Sequence, residues 1–123
     1  MKIKIEIRNF TFTARLYNTG TSKKIYESLP LAGNVNIWGA EIYFTIPLTI
    51  DEEPDAKEYV GVGELGYWPL GPAFCIFFGP TPVSTDERPK AYSPVNVFGK
   101  IEGDLSNLNK IEYGEKIIIS KIS

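Results

Sequence analysis

Between Gly71-Pro72 and Gly79-Pro80 runs Ala73-Phe74-Cys75-Ile76-Phe77-Phe78, an unbroken apolar segment with no polar residue on either parity. A strand sends successive side chains to opposite faces, so this segment demands burial on both of its faces. One face can fill a core. The other needs a cover, which a helix, the segment Val83 to Pro94 or a second subunit could supply, because an open apolar face of that size is an association site. The preceding residues Glu64 to Pro69 contain Gly66 and Pro69, which interrupt regular pairing, and Tyr67 and Trp68, whose polar tips favour a wet edge. They read as a rigid loop at the mouth of whatever the apolar strand builds.

Alternation elsewhere supplies the partner strands. Ile3, Ile5 and Ile7 share one parity and Phe10, Phe12, Ala14 and Leu16 the other, so the register changes at Arg8-Asn9, as in a tight hairpin. In NTGTSKKIYESLP, Thr19 or Thr21 can cap a short amphipathic helix that places Ile25 and Leu29 four apart and stops at Pro30. From Asn34 to Pro47 the pattern is extended again, with Val35 and Ile37 on one parity, Ile42, Phe44 and Ile46 on the other, and a switch at Trp38-Gly39. Further strands are expected at Tyr59 to Gly63, Val95 to Ile101 and Glu115 to Ile122, and a helical turn at Asp104 to Leu108. About eight strands with two short helices point to one mainly β domain over residues 1–123: an antiparallel, closed eight-stranded β-barrel capped by the helices, since closure removes exposed edges.

The composition narrows the function classes. A net charge of −2 gives no general attraction to nucleic acid, and no apolar run is long enough to span a membrane. The opening MKIKIEIRNF interleaves charges with isoleucine, unlike a secretory signal, so a cytoplasmic location is expected. The absence of His and Gln, ten Lys against three Arg, and abundant Ile lean toward a thermophilic source. Without histidine, Ser-His or Cys-His catalysis and imidazole zinc sites are excluded. Cys75 sits among apolar neighbours that disfavour a thiolate and reads as an inert core residue. The acidic run Asp51 to Glu58 lacks the glycine and terminal glutamate spacing of a calcium loop and reads as solvated. GVGELG, Gly61 to Gly66, matches a dinucleotide-binding pattern in letters only, because the continuation YWPLGP cannot open the helix whose amides would hold a pyrophosphate.

Two clusters combine Trp, Glu and Tyr beside glycine: Trp38-Gly39-Ala40-Glu41-Ile42-Tyr43 and Glu64-Leu65-Gly66-Tyr67-Trp68. Brought together they would form an aromatic pocket with a few polar handles. The expected ligand-binding residues are Trp38, Glu41, Tyr43, Glu64, Tyr67, Trp68, Phe78 and Thr81. The expected ligand is a small molecule or peptide, with no cofactor or metal and no assigned catalytic residue, on a monomer or homodimer.

The run GELGYWPLGPAFCIFFGPTPVS, together with LYNTGTSKKIYESLPL, WGAEIYF and SPVNVFGKI, resembles the prokaryotic cyclophilin-like family of small single-domain proteins. The resemblance covers nearly the whole chain and implies an eight-stranded barrel closed by two short helices. It does not carry the isomerase activity of true cyclophilins, which use an arginine beside a proline pocket lined by Phe, Met, Gln and His. Here Met1 is the sole methionine, and an atypical isomerase would have to draw its guanidinium from Arg88 or Arg15. A third reading, a non-enzymatic interaction module, rests on the apolar excess of the Ala73 to Phe78 segment.

Overall fold

The first hairpin forms where the change of parity requires it. In the computed structural model, which describes residues 1–122, β1 (Lys2–Ile7) and β2 (Phe10–Leu16) pair antiparallel with Ile7 opposite Phe10. Ile3, Ile5, Ile7 and Ala14 are wholly buried. Arg8 takes the positive φ of 56° that the two-residue turn needs, and its guanidinium pairs with Glu112 and Glu115. Helix α1 (Gly20–Glu27) starts at Thr19 through a reciprocal cap. The Thr19 hydroxyl accepts from the Ser22 amide at 3.0 Å, and the Ser22 hydroxyl accepts from the Thr19 amide at 3.1 Å.

The remaining elements are β3 (Leu31–Asn34), β4 (Asn36–Ile37), β5 (Glu41–Thr45), β6 (Lys57–Tyr59), β7 (Glu64–Trp68), β8 (Ala73–Phe77), β9 (Lys90–Glu102), a 3-10 helix at Ser106–Lys110, and β10 (Lys116–Ile122). All pairings are antiparallel, in the order β3-β10-β1-β2-β9-β7-β8-β5-β4, with β6 added against the first half of β9. No helix among the described residues is long and apolar enough to cross a membrane.

Three expectations need correction. The sheet has ten strands rather than eight, and hydrogen bonds do not close it into a barrel. Its two edge strands, β3 and β4, are consecutive in the chain with Val35 alone between them, so the sheet must curl until its edges meet. Side chains occupy the seam: the Phe44 ring lies where a Cβ on Gly33 would stand, only 2.7 Å away. The covering helices are one α-helix and one 3-10 turn. The expected loop Glu64 to Pro69 is largely strand β7. Gly66 is accommodated because Val95 and Phe77 occupy the space of its missing side chain, 2.9 and 3.1 Å from an added Cβ. GVGELG accordingly runs through a turn, with Gly63 at φ 90°, into a strand and not into a helix.

β8 is buried at all five positions. Phe74 and Ile76 face the main core of isoleucines, Phe44 and Phe98, while Ala73, Cys75 and Phe77 face a second cluster with Val60, Ala91 and Val95. The cover for the outer face therefore comes from Val60, just after β6, and the first half of β9. Helix α1 instead contributes Ile25 to the main core.

Phe74 packs between Phe44 and Phe98, with ring centroids 5.5 and 5.2 Å away. Phe74→Ala is expected to cost about 3–5 kcal/mol. Leu70→Ala, on a side chain 76% exposed, should change stability by less than about 0.5 kcal/mol. Urea unfolding of the two variants checks the contrast.

Candidate functional site

The outer face of the sheet carries the candidate site. Register places Glu41 opposite Phe77, Tyr43 opposite Cys75 and Trp68 opposite Ala73, so all six side chains share the face away from the main core. These residues, apart from Ala73, join Trp38, Ala91, Tyr92 and Val95 around a cavity of about 240 Å³.

Local turn chemistry positions the walls. Trp38 and Glu41 close a hairpin through reciprocal backbone bonds of 2.9 and 3.2 Å, with Gly39 at the first central position and φ 60°. The segment Gly79 to Pro82 clamps this turn. The Ala40 amide donates to the Pro80 carbonyl at 2.9 Å, and a Cβ on Gly39 would stand 2.9 Å from Pro82. Trp68 is held by its indole N–H, which donates to the Ser93 hydroxyl at 2.6 Å, and by Gly71 packed against the ring. Tyr92 meets both tryptophans edge-on, with centroids 6.2 Å from Trp38 and 6.1 Å from Trp68.

Glu41 is the acidic residue of this wall. It is 6% exposed, and no Lys or Arg among the described residues forms an ion pair with it. Burial pushes its carboxyl up to about 7, opposed in part by the neighbouring Cys75 thiol. Burial likewise pushes the Cys75 thiol well up, and the Glu41 charge adds to this, which disfavours the thiolate.

Of the eight residues expected at the site, Trp38, Glu41, Tyr43 and Trp68 line this cavity and the other four do not. Tyr67 is wholly buried on the opposite face of β7, where its hydroxyl donates to the Leu48 carbonyl at 2.6 Å and accepts from the Ile50 amide at 3.1 Å. Glu64 accepts from the Tyr17 hydroxyl at 2.9 Å and from the Gly61 amide at 2.7 Å, stabilising the turn before β7. The Tyr17 hydroxyl is pushed up to about 12, first by burial and then by Glu64. Phe78 lines a separate depression with Ile37, Leu108 and Ile111. Thr81 is buried behind the wall, its hydroxyl donating to the Lys90 carbonyl, which ties the clamp to the start of β9. Cys75 and Phe77, expected as core residues of the two-faced strand and not as site residues, also line the cavity. Ala91, Tyr92 and Val95 were not, because β9 reaches the site only through long-range pairing.

The sequence profile of the family described as Cyclophilin-like matches residues 1–120. Among solved structures, the hypothetical protein AF2241 from Archaeoglobus fulgidus superposes with a TM-score of 0.83 at 31% identity, over 99% of this chain and 95% of that one. McbB, solved in complex with tryptophan, superposes with a TM-score of 0.70 at 14% identity, over 97% of this chain and 44% of McbB, which is a likeness of fold alone. No curated protein matches the sequence.

The Glu41 carboxyl gives the site a pH signature. Its proton is held more tightly in the folded state than in the unfolded chain, so its contribution to stability falls as pH rises from 4.5 to about 7 and is level above that. The loss should be on the order of 3 kcal/mol. Glu41→Gln should lack this slope and exceed the wild type in stability at about pH 8, as read by urea unfolding across the window. Equal slopes in both proteins would show that Glu41 keeps an ordinary carboxyl in the fold.

Proposed function

The chain belongs to the cyclophilin-like family, and from that premise we propose that it binds a small molecule in the outer-face cavity. The observation that carries this reading is a preformed concavity of about 240 Å³ walled by Trp38, Tyr43, Trp68 and Tyr92 around one buried carboxylate. Aromatic walls with a few convergent polar groups are the usual anatomy of a small-molecule site. The Trp68–Ser93 bond and the clamped hairpin hold that geometry without a ligand, which lowers the ordering cost of binding.

A prolyl isomerase of the cyclophilin type would need a guanidinium at the pocket. Arg8 is engaged with Glu112 and Glu115, Arg15 lies 5.8 Å from the Tyr17 ring, and Arg88 pairs with Asp86 while lying 4.1 Å from the Tyr59 ring. None lines the cavity. A protease-coupled assay on a prolyl peptide is therefore expected to show no acceleration, and turnover at cyclophilin rates would contradict the reading.

Both tryptophans of the chain line the cavity, so protein labelled with 5-fluorotryptophan has two fluorine NMR signals, both reporting on the site. Single-ring aromatic fragments are expected to include binders that move both signals. Tyr92→Ala should weaken those binders by about fivefold, since aromatic contacts of this kind are worth ~1 kcal/mol. Binders that move neither signal would place ligand recognition elsewhere.

A further inference from the structure

We propose that the ligand of the outer-face cavity is a compact organic ammonium ion, a primary or quaternary amine carried on a single ring or a short alkyl group, with the Glu41 carboxylate as its counter-ion. This deepens, and rests on, the reading of the cavity as a ligand site.

Three features of the wall converge on that chemistry. Glu41 is 6% exposed, lines the cavity, and has no ion-pair partner among the described residues. A carboxylate removed from water needs a counter-charge or a proton, and here a bound cation can supply the charge that the chain does not. The surrounding rings favour the same sign. The Tyr92 ring stands at 68° to Trp38 and 76° to Trp68, so the aromatic groups form the sides of a box and not one stack. The negative π faces of such rings attract ammonium groups, most strongly when water is excluded. Finally, no lysine or arginine among the described residues lines the cavity. An anionic ligand would meet a carboxylate and aromatic faces with no compensating donor charge, which selects against it.

The volume limits the size. A cavity of about 150 Å³ already accepts benzene, and this one holds about 240 Å³, room for one ring and a small ammonium group.

The test compares benzyltrimethylammonium, benzylamine, benzyl alcohol and phenylacetate by titration calorimetry on the full chain at about pH 8, where Glu41 is ionised. Both cations are expected to bind at least about tenfold more tightly than benzyl alcohol, with phenylacetate weakest. Glu41→Gln should collapse the cation-to-alcohol ratio, its fold being checked by thermal melt. Tyr92→Ala alters a side chain that is 69% exposed, so it tests the aromatic half of the box without endangering the fold, and it should reduce the same ratio.

Benzyltrimethylammonium does not titrate, so its affinity should rise between about pH 5 and about pH 8 with release of a proton, in the wild type and not in Glu41→Gln. The other titratable side chains facing Glu41 are Tyr43 on β5, Cys75 on β8 and Tyr92 on β9, with Trp68 the contribution of β7. Free phenols and thiols lose their protons above that window, and burial moves Cys75 further away. If benzyl alcohol binds as tightly as the cations, or if the preference survives Glu41→Gln, the ammonium assignment is overturned and the cavity stands as a site for neutral ligands. If none of the four binds, both the assignment and the ligand-site reading fall.

Discussion

Burial of β8 on both faces is the constraint on which the structure turns. With all five residues inside, the strand needs a layer on each side, and the chain builds them from different material. The inner layer is the isoleucine-rich body of the curled sheet; the outer layer is smaller, made by Val60 just after β6 and the first half of β9. That outer cover reaches Ala73, Cys75 and Phe77 through Val60, Ala91 and Val95, and beside them the aromatic side chains enclose a space that they do not fill. The cavity is thus a consequence of covering a two-faced strand with a short arm.

Glu41 gives the space its chemical character. Alternation along β5 sends Ile42 and Phe44 into the main core and Glu41 and Tyr43 to the outer layer, so the acid cannot leave the wall without a register slip that would also expose both core residues. Leaving a carboxyl there disfavours its charged form, which the neighbouring Cys75 thiol offsets only in part and the negative faces of the surrounding rings do not offset at all. A natural core would carry an apolar residue at that position. Keeping an acid at the end of a clamped turn, next to an indole, is the kind of local inconsistency that marks functional sites.

Much of the fold was legible in the sequence because the signals were local. The parity switch at Arg8-Asn9, the Thr19 cap and the two-faced run Ala73 to Phe77 each stated their structure within a few residues. Closure was not legible: whether β3 and β4 complete a ladder depends on how far the sheet curls, which the long-range strand pairing sets, and on the Phe44 ring that fills the seam against Gly33. Gly66 misled for the same reason, since a glycine that breaks pairing and a glycine that admits Val95 look alike in sequence. Reading β7 as a loop then allowed Tyr67 and Trp68 to face one pocket, whereas adjacent strand residues point to opposite sides. Tyr92, mostly exposed and delivered by β9, carried no sequence signal at all.

The proposal turns on Glu41, which has no ion-pair partner among the described residues and would take its counter-charge from a cationic ligand. The most direct measurement is the pH titration of its side-chain carboxyl carbon by NMR, the resonance being assigned by its loss in Glu41→Gln. The account predicts a midpoint near 7 in the free protein, against the ordinary 4.5, and a marked fall when benzyltrimethylammonium saturates the cavity. A midpoint at the ordinary carboxylate value, unchanged by the cation, would contradict it.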